Sequence, residues 1–261
     1  NTHLNAFYLN MVASEMFMDS AQLRNSVISI AKALNYTPRS TKSSQATLNL
    51  RFPQTGLQSL TIPKNTRFTG KNSSSTYQFL TDEEIVLYPS NGFFVANGVS
   101  VYEGALIVDT FVMNYSVEAQ RFILTNSTID TDSIDVLVLE DNGQANLTYS
   151  PATTLFGLNS TSQSYFVQAT EDSKYELVFG DGVFGRKPKD GALITATYRS
   201  AAGALANETT SFALADNLGP VNGIVNSIVP SVTVVAAGFG GAAAEDIERI
   251  RFQAPRAYQV Q

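Results

Sequence analysis

The sequence predicts an α+β fold: N-terminal helices, then mainly antiparallel β units of sandwich or barrel type, then a short C-terminal helix. Three observations carry this reading. Apolar spacing changes from three-and-four to two near residue 45. Short apolar runs separated by turn residues then recur as far as Tyr198. Helical composition returns at Ala242.

Taken in order, Leu4, Phe7, Tyr8, Met11 and Val12, then Glu15 and Met18, follow helical spacing. After Asp19 or Ser20 a second stripe runs through Leu23, Val27, Ile30, Ala31 and Leu34, and Asn35 and Pro38 stop it. This apolar face fits either interior core or a seam against another chain. Ala46, Leu48, Leu50 and Phe52 alternate with Thr47, Asn49 and Arg51 as a half-buried strand ending at Pro53. Leu60–Ile62 and Thr66–Phe68 flank Pro63-Lys64-Asn65. Phe93–Ala96 and Val99–Tyr102 flank Asn97-Gly98, which predicts a hairpin.

Further strands are expected at Ile134–Leu139 before Glu140-Asp141-Asn142-Gly143, at Tyr165–Ala169 and Tyr175–Phe179 around Glu171-Asp172-Ser173, and at Ala192–Tyr198. Ala242–Phe252 reads as a helix with Glu245, Asp246 and Glu248 early and Arg249 and Arg251 late, ended by Pro255. The expected organisation is a helical segment over 1–45, a β domain from 46–115 with 200–240, an inserted β module over 116–199, and a helix over 241–261. The chain starts at Asn and stops at Ala257-Tyr258-Gln259-Val260-Gln261, and it reads as part of a longer polypeptide whose last helix leads into a further domain.

Composition narrows the chemistry. The 261 residues suit about two domains, and 44% hydrophobic with 15% charged residues excludes disordered and coiled-coil chains. A net charge of −6 argues against a nucleic-acid backbone as partner, and no run is long and apolar enough for a membrane helix. Zero Cys removes disulfides, thiolate catalysis and sulfur-bound metals, and a lone His3 removes any two-imidazole site. No cofactor, metal, membrane contact or small-molecule substrate is expected, and enzymatic activity would rest on carboxylates alone, such as Asp181 and Asp190.

The remaining motifs each have a plain reading. Gly180-Asp181-Gly182-Val183-Phe184-Gly185 matches G-x-G-x-x-G, but Arg186-Lys187-Pro188 is a poor helix start for a phosphate cradle, so a tight turn is expected. Asp130, Asp132 and Asp135 lack the glycine and closing glutamate of a calcium loop, and they read as a solvated loop. Neither Glu83-Glu84 nor Glu140-Asp141 has a partner carboxylate placed across a cleft. Seven Asn-x-Ser/Thr positions, Asn35, Asn72, Asn114, Asn126, Asn146, Asn159 and Asn207, modestly exceed chance. They keep open a second class of function, a secreted or surface-displayed β-rich adhesin carrying glycans.

Four stretches occur in a set order: Ser20–Arg24 through Ile30–Ser40; Val101-Tyr102-Glu103-Gly104; Phe179–Gly185 with Pro188, Gly191, Ile194 and Tyr198; and Gly240–Glu245 through Ile250-Arg251 and Ala254-Pro255-Arg256. Together they resemble the baseplate J-like family of contractile-tailed phages, which usually has Gly at the position of Asn35. The resemblance runs from about Asn10 to Arg256 and departs at Val234–Phe239, where an asparagine-proline pair is usual. It implies a non-catalytic virion subunit, made in the cytoplasm of the infected bacterium and housed in the tail baseplate. That subunit would homodimerise, contact other wedge proteins and link wedges into a ring that rearranges on contraction. On this reading Leu4, Phe7, Tyr8, Met11, Leu23, Val27 and Ile30 supply apolar contacts in a helical bundle, partly between chains, and Glu245, Arg249 and Arg251 supply polar ones.

Overall fold

A computed structural model describes residues 13, 15–34, 36–54, 56–170, 172, 174–218 and 229–259. The described residues of Thr41–Leu106 and Arg199–Ala243 form one compact unit, and those of Asn1–Ser40, Ile107–Tyr198 and Ala244–Gln261 form another. Strands are numbered β1 to β15 and helices α1 and α2 in chain order.

The first of these units is a six-stranded sheet. It contains β1 (Gln45–Pro53), β3 (Arg67–Lys71), β4 (Thr76–Thr81), β6 (Phe93–Glu103), β14 (Ser211–Leu214) and β15 (Ser231–Phe239) in the order β14-β3-β4-β6-β1-β15. Its ladders are antiparallel. A small ribbon pairs β2 (Leu60–Ile62) with β5 (Ile85–Leu87). The period-two pattern of β1 works as its sequence requires, because Ala46, Leu48, Leu50 and Phe52 are all fully buried. They join Phe68, Phe79, Phe94 and Val101 in one core, each large side chain contributing about 1.5–3 kcal/mol. The Glu208 N–H donates to the Gly238 carbonyl at 2.7 Å and the Gly238 N–H to Thr209 at 2.9 Å. These bonds bring the end of β15 beside the residues that lead into β14, and the sheet nearly closes into a barrel.

Asn97-Gly98 corrects the sequence reading. No hairpin forms there, and β6 runs straight through. Leu48 pairs with Val99 and Leu50 with Ala96, so Asn49 alone faces two residues across a β-bulge. Gly98 takes φ +71°, and its N–H donates to the Asn49 side-chain oxygen at 2.8 Å. An Asn-Gly turn does occur one step earlier, at Asn91-Gly92. Both residues have positive φ, and Ser90 and Phe93 exchange backbone hydrogen bonds.

The other unit is built on seven strands: β7 (Ala105–Val112), β8 (Phe122–Ile123), β9 (Ile129–Glu140), β10 (Ala145–Pro151), β11 (Ser164–Ala169), β12 (Tyr175–Phe179) and β13 (Leu193–Ser200). Their order is β7-β13-β9-β10-β11-β12-β8. The β11–β12 hairpin forms as the sequence suggests, and the Glu140–Gly143 turn joins β9 to β10, a strand the sequence reading did not include. A short parallel pairing, Ser150 with Ser164 and Pro151 with Tyr165, interrupts the antiparallel pattern. The two edges of this sheet also meet. The Phe111 and Phe122 rings stack edge to face at 5.6 Å, and Asp109 on β7 accepts both the N–H and the hydroxyl of Thr125, just beyond β8, at 2.8 Å.

Two helices pack on each other in this unit, α1 (Arg24–Ala33) and α2 (Ile247–Gln259). Among the described residues the expected N-terminal helices, two or one kinked, are not matched: Ala13 and Glu15 have helical backbone, but Met16–Ser20 is turn, closed by Met16 N–H to Ala13 and Ser20 N–H to Phe17, and the first full helix described is α1. The physical reason is Glu15, whose carboxylate accepts the Gln22 and Leu23 N–H groups at 2.9 and 3.1 Å and so folds the chain back onto the start of α1. Leu4, Phe7, Tyr8 and Met11 lie outside the described residues.

The C-terminal helix also differs from expectation at both ends. It starts only at Ile247, because the Asp246 carboxylate caps it by accepting the Arg249 N–H at 2.7 Å. It then continues through Pro255. The ring removes one backbone bond, but Ile250 and Ala254 are fully buried against Val27 and Ala31, and this packing holds the helix together.

Candidate assembly surface

The residues that the sequence singles out for association fall into distinct environments on the helical platform. Val27 is fully buried between α1 and α2, and the partly buried Ile30 packs against the same cluster. Leu23 is 59% exposed, because it is the residue before the first helical turn and its φ/ψ of −77°/130° turns the side chain out of the stripe. Met16 at 69%, Phe17 at 66% and Phe252 at 53% add exposed apolar surface to this unit. Arg249 is exposed; Arg251 reaches Glu248 at 2.6 Å and the Ala21 carbonyl.

Glu245 is the organising group of this platform. Only 5% exposed, it accepts the Tyr36 hydroxyl on both oxygens at 3.0 and 2.8 Å and the Arg39 N–H at 3.0 Å. Its backbone N–H donates to Arg39, and its carbonyl accepts Arg24 at 2.9 Å. Burial, then the hydrogen bond to the Glu245 carboxylate, pushes the Tyr36 hydroxyl well above its ordinary pKa. This segment has the polarity of an interior tie.

The other buried carboxylates are likewise paired. Glu176 on β12 meets Lys32 at 3.0 Å and Arg121 at 2.7 Å. Glu140 at the end of β9 meets Arg186 and accepts the Lys189 N–H at 3.0 Å. Asp109 accepts the buried Tyr198 hydroxyl at 2.7 Å. Sequence reasoning did not single out these ties; the available signal was a lone carboxylate set in an otherwise apolar strand.

The family-like motifs turn out to be joints. Glu103 accepts the Ala202 N–H at 3.1 and 3.0 Å, and Arg199 pairs with Asp82 at 2.8 Å. Asn207 holds Gly241 by both its N–H and its carbonyl. Gly180-to-Gly185 is a turn in which a Cβ on Gly180 would lie 2.2 Å from the Gly185 backbone. The Asp181 carboxylate accepts the Val183 and Phe184 N–H groups inside that turn, which leaves no helix for a phosphate to cap.

The Asn-x-Ser/Thr excess has a turn-chemistry explanation. At Asn72, Asn114, Asn126 and Asn159 the side-chain oxygen accepts the N–H of the Ser or Thr two residues on, at 2.7 to 2.9 Å. The pattern therefore selects for Asx turns at four of the seven positions. Among the described residues no group of three His, Asp or Glu is placed to hold a metal, and no helix is long and apolar enough to cross a membrane.

No protein-family model matches the chain. It is similar to baseplate wedge protein gp6 of Enterobacteria phage T4, with 25% identity over 262 residues covering 93% of this chain and 39% of gp6. The chain thus spans well under half the length of that relative. The match supports a baseplate-related family and no particular member of it.

Proposed function

We propose that this chain is a structural part of a contractile-tail baseplate wedge. In this reading it resides in the virion tail, is made in the cytoplasm of the infected bacterium, and performs no catalysis. It homodimerises, contacts other wedge proteins, and helps join wedges into a ring that rearranges when the tail contracts. The observation that carries the reading is a 25% identity to a wedge protein sustained over 93% of the chain. It is supported by what the charged groups do: the buried carboxylates Glu103, Asp109, Glu140, Glu176 and Glu245 all have partners within the chain, as in a part built to hold shape.

Within this proposal the helical platform supplies the association surface, with Leu4, Phe7, Tyr8, Met11, Leu23 and Ile30 as apolar contributors and Arg249 and Arg251 as polar ones, while the buried Val27 and Glu245 hold that platform together from within. The test is co-expression with the remaining wedge proteins of a contractile-tailed phage, followed by native mass spectrometry. Incorporation of a pair of copies per wedge supports the reading. A chain that stays outside the complex overturns it. Charged substitutions at Phe7 or Met11 reduce association and leave the β units folded; unchanged association sinks the role given to that stripe.

A further inference from the structure

Two loops of the helix-bearing unit form one rigid apolar ridge. The 152–163 segment after β10 and the 180–186 turn after β12 are fastened by the Gly185 N–H to Asn159 at 3.1 Å and the Arg186 N–H to Ser162 at 2.7 Å. An Asx turn at Asn159 stiffens the first loop and one at Asp181 the second. On this ridge Leu155 is 54% exposed, Phe156 92%, Val183 64% and Phe184 50%. Beside Phe156 lies a groove of about 760 Å³ walled by Leu155, Phe166, Gln168, Val178 and Phe184.

We propose that this ridge docks on a second copy of the same chain, the Phe156 ring of each protomer seated in the groove of the other. Knob and groove are neighbours on one patch, so a two-fold axis satisfies both at once, which is the self-complementarity an isologous contact requires. Charge favours the same occupant. No charged residue occurs from Asn142 through Thr170, and Asp181, the charged group in the groove wall, already accepts two backbone N–H groups. Apart from Asp181, neither the groove lining nor the 142–170 segment brings like charges together when identical surfaces meet.

Covering four large apolar side chains on each copy removes on the order of 1,000 Å² in total, the lower bound for a specific contact. The two loops are already fastened to each other, so little order is lost on docking. The contact stands independently of the baseplate reading.

The chain has no native cysteine, so introduced thiols report only the contact they are placed to test. Phe156→Cys protein is mixed with Gln168→Cys protein and oxidised, beside a control pair using exposed Ser73→Cys. The expected result is a disulfide-linked heterodimer at roughly tenfold the control yield. Sedimentation velocity of the unmodified chain should show a dimer at about 100 μM that is unchanged between about 0.1 and 1 M salt and is lost in Phe156→Ser. Cross-linking at the control level, or a dimer that survives Phe156→Ser, overturns the proposal. A chain that is monomeric alone yet joins a wedge complex overturns this contact and leaves the baseplate reading standing.

Discussion

The Glu245 carboxylate accepts the Tyr36 hydroxyl on both of its oxygens, at 3.0 and 2.8 Å, and so ties the segment before α2 to the segment after α1. Removing it strands the Tyr36 hydroxyl and the Arg39 N–H in a part-buried place. Glu245→Ala should therefore cost about 2–4 kcal/mol of stability in urea titrations. Arg249→Ala, at an exposed position, should stay within about 0.5 kcal/mol. Equal small effects would mean that Glu245 is not an interior tie.

Glu176 gives a pH signature. Burial pushes its carboxyl up, but the hydrogen bonds from Arg121 and Lys32 outweigh this and hold it below the ordinary value of 4.5. A depressed carboxyl contributes stability that is fully present above the unfolded pKa and is lost as pH falls through the folded one. Glu176→Gln should cost about 1–2 kcal/mol at pH 7, and this gap should close as pH drops below about 4. Thermal melts across that range read the effect, and a gap that is constant with pH contradicts it.

Much of the fold was legible because it rests on period. The β1 alternation, the α1 stripe and the β11–β12 hairpin all follow from local spacing, and burial obeys them. What was misread depended on a distant partner. Asn97-Gly98 has the chemistry of a hairpin, yet β1 lies alongside and the pair becomes a bulge against Asn49. Pro255 has the chemistry of a stop, yet Ala254 and Ile250 keep the helix seated on α1. The association residues were only partly legible for a related reason: helical spacing groups Leu23 with Val27, whereas a cap position points it to solvent.

The glycine turn makes a steric prediction. A methyl group on Gly180 would lie 2.2 Å from the carbonyl of Gly185, and that neighbour is backbone with no side chain to move aside. Gly180→Ala should lower stability by about 3 kcal/mol or more, or abolish folding of the hairpin. Asp181→Ala removes only solvent-exposed turn bonds and should cost about 1 kcal/mol. The contrast, read by thermal shift, separates a packed turn from a ligand loop, for which the ordering would reverse.

The Asx turns predict a side-chain length dependence. At Asn126 and Asn159 the short side chain reaches the N–H two residues on, and aspartate reaches it as well. Asn159→Asp should leave stability within about 0.5 kcal/mol, whereas Asn159→Gln should lose about 1 kcal/mol. If these positions instead served as glycan acceptors, both substitutions would act alike by removing the sugar, and intact mass of the secreted protein would show it.

Leu23 allows association to be separated from stability. It occupies the N-cap of α1 with extended dihedrals and makes no side-chain cap bond, while 59% of it faces solvent. Serine at this position supplies the missing acceptor for the first turn and adds no charge beside Glu15, whose carboxylate already holds the Leu23 N–H. Leu23→Ser should therefore raise the stability of the isolated chain by about 0.5–1 kcal/mol. If the helical platform is an association surface, the same substitution weakens assembly, because it removes an apolar contact from that surface. A variant that is more stable and less associated supports the platform's role. A more stable variant with unchanged association moves the partner surface away from Leu23, and a less stable one contradicts the capping argument itself.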